Sequence, residues 1–213
     1  MATDKLYGGA IEIAKLPPSF IDVSTIRQVP DTQEVFIHQI PDDATTESAV
    51  CYDQSLIFDL LEQVSSVDYA MAIAEHMQDI APANVENHSV QQVELEGIKR
   101  YFSYVSFKPE YKRQEAQGQA QWIILLICLI RLTSVETDVV VQYNIPFKSE
   151  DGVKDVEFGK LVQEENAVKD GKDGQKEENE KGKSQVEKLV LENYRFFKNT
   201  CESFKVVEWD LFA

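Results

Sequence analysis

Residues 122–132 read WIILLICLIRL, and after Thr133–Glu136 the chain resumes at 137–147 as TDVVVQYNIPF. The first stretch is apolar without a break from Trp122 to Ile130 and is closed by Arg131. A bilayer span takes about twenty residues, so this run is too short for one. Its length and Ile content suit a strand covered on both faces. The connection at Thr133–Glu136 is short enough for a hairpin, so 119–132 and 137–147 are expected to pair in a largely antiparallel sheet.

Outward from this pair, residues 88–108 alternate in polarity and predict two strands meeting near Glu96-Gly97. Tyr101, Ser103, Val105 and Phe107 fall on one face of the second strand, Phe102, Tyr104 and Ser106 on the other. Nearer the start, Ala10–Ala14 and Glu34–Ile40 read as strands, the latter ended by Pro41, and 42–52 as a polar loop. From Gln54 the period changes. Leu56, Ile57, Leu60, Leu61 and Val64 recur at helical spacing, with Asp53 in place to cap a first helix. A second helix is expected over 67–80, with Tyr69, Ile73, Met77 and Ile80 on one side.

The tract 148–183 is dominated by Lys, Glu, Asp, Gly, Asn and Gln, and its KDGKDGQKEENEKGK stretch has too little apolar surface to offset the entropy of ordering. It reads as a mobile surface insertion, with a helical turn near Phe158–Gln163. Helical period returns at Ser184, with Val186, Leu189, Val190, Tyr194, Phe197 and Phe204 inward, and a short strand over Lys205–Trp209 closes the chain. The fold class is α+β, an antiparallel sheet with helices on both faces, carried by one domain over 1–213.

The 213 residues carry a formal net charge of −16, from 37 acids and 21 bases. Such a chain is a poor partner for nucleic acid or an anionic membrane and a better one for a basic protein. The first twenty residues have the look of neither a signal nor a transit peptide, so a soluble intracellular protein is expected. Cys51, Cys128 and Cys201 sit far apart in no metal spacing, which suits a reducing compartment without disulfides.

Enzymatic signatures are absent from the pattern. His38, His76 and His88 form no His-x-x-x-His pair, there is no Cys-x-x-Cys or Gly-x-Ser-x-Gly, and Gly8-Gly9 lacks the rest of a nucleotide fingerprint. Neither a catalytic residue nor a metal or cofactor is expected. The charge distribution says more. Residues 28–98 hold 14 acids and no Lys or Arg. Such a run suits a solvated face kept soluble by like charge, or an acidic face that steers a basic partner. On the expected first helix Ser55, Asp59, Glu62 and Ser66 lie opposite the apolar stripe. Asp59 and Glu62 would then be like-charged neighbours on an exposed ridge, at a cost of a few tenths of a kcal/mol. The pair reads as a contact for a Lys or Arg of another molecule. Arg27, the one base in 16–98, is expected to pair with Asp22 or Asp31.

Five ordered blocks now coincide: LYGGAIEI (6–13), FIDVSTIRQVPDTQEVF (20–36), SLIFDLLE (55–62), LIRLTSVETDVVVQYNIP (129–146) and VVEWDLFA (206–213). Together they resemble the Ran guanine nucleotide release factor family. The resemblance implies a PsbP-like α/β/α sandwich. It also implies binding to the small GTPase Ran, release of its guanine nucleotide and support of nuclear protein import, without catalysis. It places the family's acidic contact at Asp59 and Glu62, with Asp31, Gln33 and Glu34 as further candidates. Asp31 equally suits the turn after Pro30, and Gln33 the satisfaction of backbone groups. A monomer in nucleus and cytoplasm, without nucleic acid or membrane, completes this expectation. Two other readings are an acidic chaperone-like binder of basic cargo and a small-molecule-binding or hydrolytic domain.

Overall fold

A computed structural model describes residues 2–41, 50–82, 85–110, 119–163 and 183–212. The strands in chain order are β1 (Thr3–Leu6), β2 (Ile11–Ala14), β3 (Phe20–Asp22), β4 (Gln33–His38), β5 (Gln54–Glu62), β6 (His88–Leu95), β7 (Ile98–Phe107), β8 (Trp122–Leu132), β9 (Thr137–Phe147) and β10 (Lys205–Val206). The helices are α1 (Tyr69–His76) and α2 (Gln185–Ser203). Seven strands form one sheet in the order β3-β4-β5-β9-β8-β7-β6, and β1-β2-β10 form a second. Every pairing is antiparallel.

The expected pair β8–β9 lies in the middle of the large sheet, in register from Trp122↔Phe147 to Leu132↔Thr137. Its apolar character on both faces has the expected cause. Ile124, Leu126, Cys128 and Ile130 pack with α2 on one side, while Leu125, Ile127 and Leu129 pack with Ala72, Ile73 and Met77 of the α1 layer on the other. The 88–108 hairpin turns at Glu96 and Gly97, both at positive φ, as a two-residue hairpin of matching twist requires. Asp68 caps α1 by accepting the Met71 N–H. Ser184 and Glu187 cap each other's backbone at the start of α2. Each cap satisfies N–H groups that the first helical turn leaves free.

Residues 54–62 overturn an expectation. They form strand β5, not a helix, between β4 and β9. An interior strand covered on both faces is apolar at nearly every position, so its pattern also satisfies helical spacing. Phe58, which the helical stripe left out, is fully buried. Asp53 caps nothing helical and instead accepts the Ile40 N–H.

The proposed insertion also begins too early. Val153, Phe158, Leu161 and Val162 are buried, and residues 158–163 are helical as expected. Phe158 meets Tyr104 and Tyr194 edge-on, which seats this stretch between β7 and α2. The remainder of the tract, 164–182, and most of the expected loop, 42–49, lie outside the described residues. The closing strand is shorter than expected, Lys205–Val206, and a 3-10 turn at Trp209–Phe212 follows it.

Arg100, almost fully buried, sets where the chain leaves α2. Its guanidinium donates to the carbonyls of Cys201 and Phe204 at the helix end and to those of Leu95 and Ile98. A cation at a helix C-terminus meets carbonyls that have no partner within the helix. From there Val206 pairs with Ile11, and the Val207 and Glu208 N–H groups donate to the Ala10 carbonyl. The last residues are thereby tied to the edge of β2.

Candidate protein-docking site

Side chains alternate across a strand, and residues directly opposite in a pair share a face. In β4–β5 the pair Gln33↔Asp59 lies on the α1 face, since Asp59 also opposes Val140 of the α1 core. Glu34 opposes Phe58, and Glu62 opposes Thr137, on the α2 face. Asp59 and Glu62, expected as neighbours on one ridge, therefore point to opposite sides of the sheet. Asp59 is only 8% exposed, whereas Glu62 is exposed.

Two adjoining grooves organise the remaining candidates. One, of about 820 Å³, runs along the end of β5 and the β8–β9 turn, with Glu62 and Glu136 among its walls. The other, of about 510 Å³, is walled by Tyr7, Arg27, Pro30, Asp31 and Glu34. Leu211 belongs to both. Asp31, Gln33, Glu34 and Glu62 are thus gathered on connected grooves, and Gln33 also reaches across to Asp59, donating from Nε2 to Oδ2 at 2.9 Å. The amide of Gln33 serves that carboxylate rather than the backbone. Arg27 makes no ion pair among the described residues, contrary to expectation, and faces the groove that Asp31 and Glu34 share.

Tyr7, which the sequence reading did not single out, organises this corner. Its hydroxyl donates towards the carbonyls of Thr32 and Phe58, and its backbone N–H donates to Glu34 Oε1 at 2.5 Å. Tyr7 sits at φ 50°, followed by Gly8 and Gly9 at positive φ. A left-handed non-glycine residue costs about 1–2 kcal/mol, and the three hydrogen bonds hold it there. The Gly8-Gly9 pair is thus a backbone reversal between β1 and β2. The only available signal was Tyr7's place beside those glycines.

Burial, followed by the nearby charges of Glu34 and Asp59, pushes the Tyr7 hydroxyl well above its usual pKa. Burial also raises the Glu34 carboxyl, although the Tyr7 N–H works against it. Asp59 is raised by burial too, opposed by the Gln33 amide and by His76. Its Oδ1 is buried without a hydrogen-bond partner among the described residues.

The histidines have structural settings. His76 Nε2 lies 2.9 Å from Asp138 Oδ2 in a buried network with Arg131. His38 stacks on Phe20 and joins Tyr143, Gln54 and Asn193. His88 stacks on Tyr104. Among the described residues, no three His, Cys, Asp or Glu side chains converge to hold a metal ion.

Acids and an apolar side chain thus share two connected grooves at one end of the antiparallel sheet. The chain belongs to the family described as Ran-interacting Mog1 protein, whose model matches residues 4–146. It is 36% identical over 155 residues to the nuclear import protein MOG1 of Saccharomyces cerevisiae, spanning 69% of this chain and 67% of that protein. It is 34% identical over 149 residues to the Ran guanine nucleotide release factor of Homo sapiens, spanning 66% of this chain and 74% of that one. Among solved structures, a mutant of protein Mog1 superposes with a TM-score of 0.65 at 27% identity. The Saccharomyces cerevisiae Ran-binding protein Mog1p superposes with a TM-score of 0.63 at 28% identity. Both alignments cover 100% of this chain and 98% of the other.

Proposed function

We propose that this chain binds the GTPase Ran, loosens its guanine nucleotide and so supports nuclear protein import, acting as a non-catalytic monomer in nucleus and cytoplasm. The observation that carries this reading is the family match over residues 4–146, a span that contains Asp31, Glu34, Glu62 and Glu136, all four groove carboxylates. A release factor needs no bond-making step. It must bind the GTPase more tightly when nucleotide is absent, and linkage makes that preference reciprocal. Weakening nucleotide a thousandfold takes a differential affinity of about 4 kcal/mol. The groove carboxylates contribute by drawing Lys or Arg side chains of Ran away from phosphate. The test is release of a labelled guanine nucleotide from Ran, which this chain should accelerate at stoichiometric amounts.

Asp59 belongs to the same reading and gives a pH prediction. Its folded pKa is raised, so its favourable contribution is fully present below the ordinary carboxylate range and is lost as pH rises through the raised folded value. At neutral pH the charged form therefore opposes folding. Asp59→Asn keeps an acceptor for Gln33 and removes the charge. It should raise the melting temperature at pH 7 by about 2–4 °C, the shift that about 1 kcal/mol makes in a domain of this size. The gain should shrink as pH falls towards 4. Scanning calorimetry across that range checks it; a variant less stable than the parent at pH 7 would contradict the burial argument.

A further inference from the structure

We infer that the C-terminal turn Trp209–Phe212 is the apolar centre of the docking surface. Its occupant is a patch of Ran in which an apolar side chain is flanked by Lys or Arg, so the inference rests on the Ran-binding reading.

Seven large hydrophobic residues are exposed among the described residues, and three of them, Val207, Trp209 and Leu211, fall within this closing segment. A fourth, Ile26, is 72% exposed and lies between Ser24 and Arg27, two walls of the groove that Leu211 also lines. The segment is not a loose tail. Val207 and Glu208 are hydrogen-bonded to Ala10, and the Trp209 and Phe212 rings lie 6.1 Å apart. Rigid aromatic and aliphatic groups presented this way lose little entropy when covered.

Leu211 stands where the two grooves meet, so the apolar element is central and the carboxylates peripheral. This is the usual anatomy of a protein interface: an apolar centre carries most of the energy and a charged rim sets orientation and rate. The rim selects the partner. Glu62, Glu136, Asp31 and Glu34 face a single base, Arg27, across both linings, and the turn itself adds Asp210. An anionic lipid surface would be repelled; a basic protein face is attracted.

The experiment titrates Ran with the wild-type chain, with Trp209→Ala/Leu211→Ala, and with Val67→Ala/Met71→Ala, whose parent side chains are exposed but belong neither to the closing segment nor to a groove wall. The first double variant should weaken binding about thirtyfold, equivalent to about 2 kcal/mol, with its melting temperature within about 2 °C of the parent. The Val67/Met71 variant should bind within about twofold of the parent. Should the alanine pair disturb the fold, Leu211→Glu alone serves, because Leu211 is 41% exposed. Parent-like affinity in a folded Trp209/Leu211 variant would overturn the inference while leaving Ran binding in place. Failure of the wild-type chain to bind Ran would overturn both. A wild-type dimer in sedimentation that the alanine pair dissolves would give the face to a second copy of the chain, and so also overturn it.

Discussion

Asp138→Ala should cost the fold about 3–5 kcal/mol, the penalty for leaving one member of a buried ion pair without its partner. Asp138 has no solvent exposure. Its Oδ1 accepts Arg131 Nε at 2.7 Å, and its Oδ2 accepts Arg131 Nη2 at 2.9 Å and the Val64 N–H at 3.2 Å. Burial alone would raise its pKa. Arg131, His76 and the Val64 N–H more than offset that and hold the carboxyl below the usual carboxylate range. Its stabilising contribution is therefore present above the ordinary range and lost as pH falls through the depressed folded value.

Without Asp138, Arg131 is left nearly buried, with the carbonyls of Ser66 and Val64 and the Tyr69 ring as company. Thermal unfolding should move down by about 10–15 °C, and Asp138→Asn should fall between the two. A loss under about 1 kcal/mol would show that the network is dispensable. The consequence reaches the site, because the same network pins Val64 and Ser66, and Val64 and Ser65 help wall the larger groove.

Glu62→Lys should weaken Ran binding by at least a hundredfold, about 2.7 kcal/mol, without a comparable loss of stability. A like-charge contact inside an interface costs several kcal/mol, whereas Glu62 is exposed at the end of β5 and makes no ion pair among the described residues. The substitution reverses the charge on one wall of the larger groove and leaves the Glu62↔Thr137 backbone pairing intact. The reversal is cleaner here than at Asp59, whose burial would force a lysine to distort the β4–β5 corner. Calorimetric titration against Ran, with a melting curve for each variant, separates the two effects. Undiminished affinity in Glu62→Lys would remove Glu62 from the interface.

The contrast between these two acids shows where the sequence was readable. The β8–β9 pair was legible because an eleven-residue apolar strand covered on both faces has few other interpretations at that length. The 88–108 hairpin was legible from its alternation, and α2 from its inward stripe. Strand β5 was not. It lies inside the sheet with a core cluster against each face, so its residues satisfied a helical period by being apolar almost throughout, and only Phe58 spoke against that. The misreading carried into the site, since residues three apart share a helix face but take opposite faces of a strand.

The resemblance drew attention to Asp31, Glu34 and Glu62, which the fold gathers on connected grooves, yet spacing alone could not show that. Tyr7, Glu136 and Leu211 stayed hidden because their roles depend on reversals and chain ends that meet only after folding. Arg27 was expected to find a nearby acid and instead faces a groove.

On the proposed function, this chain loosens guanine nucleotide from Ran through the grooves around Leu211. Release of a fluorescent guanine nucleotide from purified Ran, with and without one equivalent of the chain, tests it most directly. The expected result is faster release that falls back to the spontaneous rate with Glu62→Lys. Release at the spontaneous rate in the presence of the wild-type chain would contradict it.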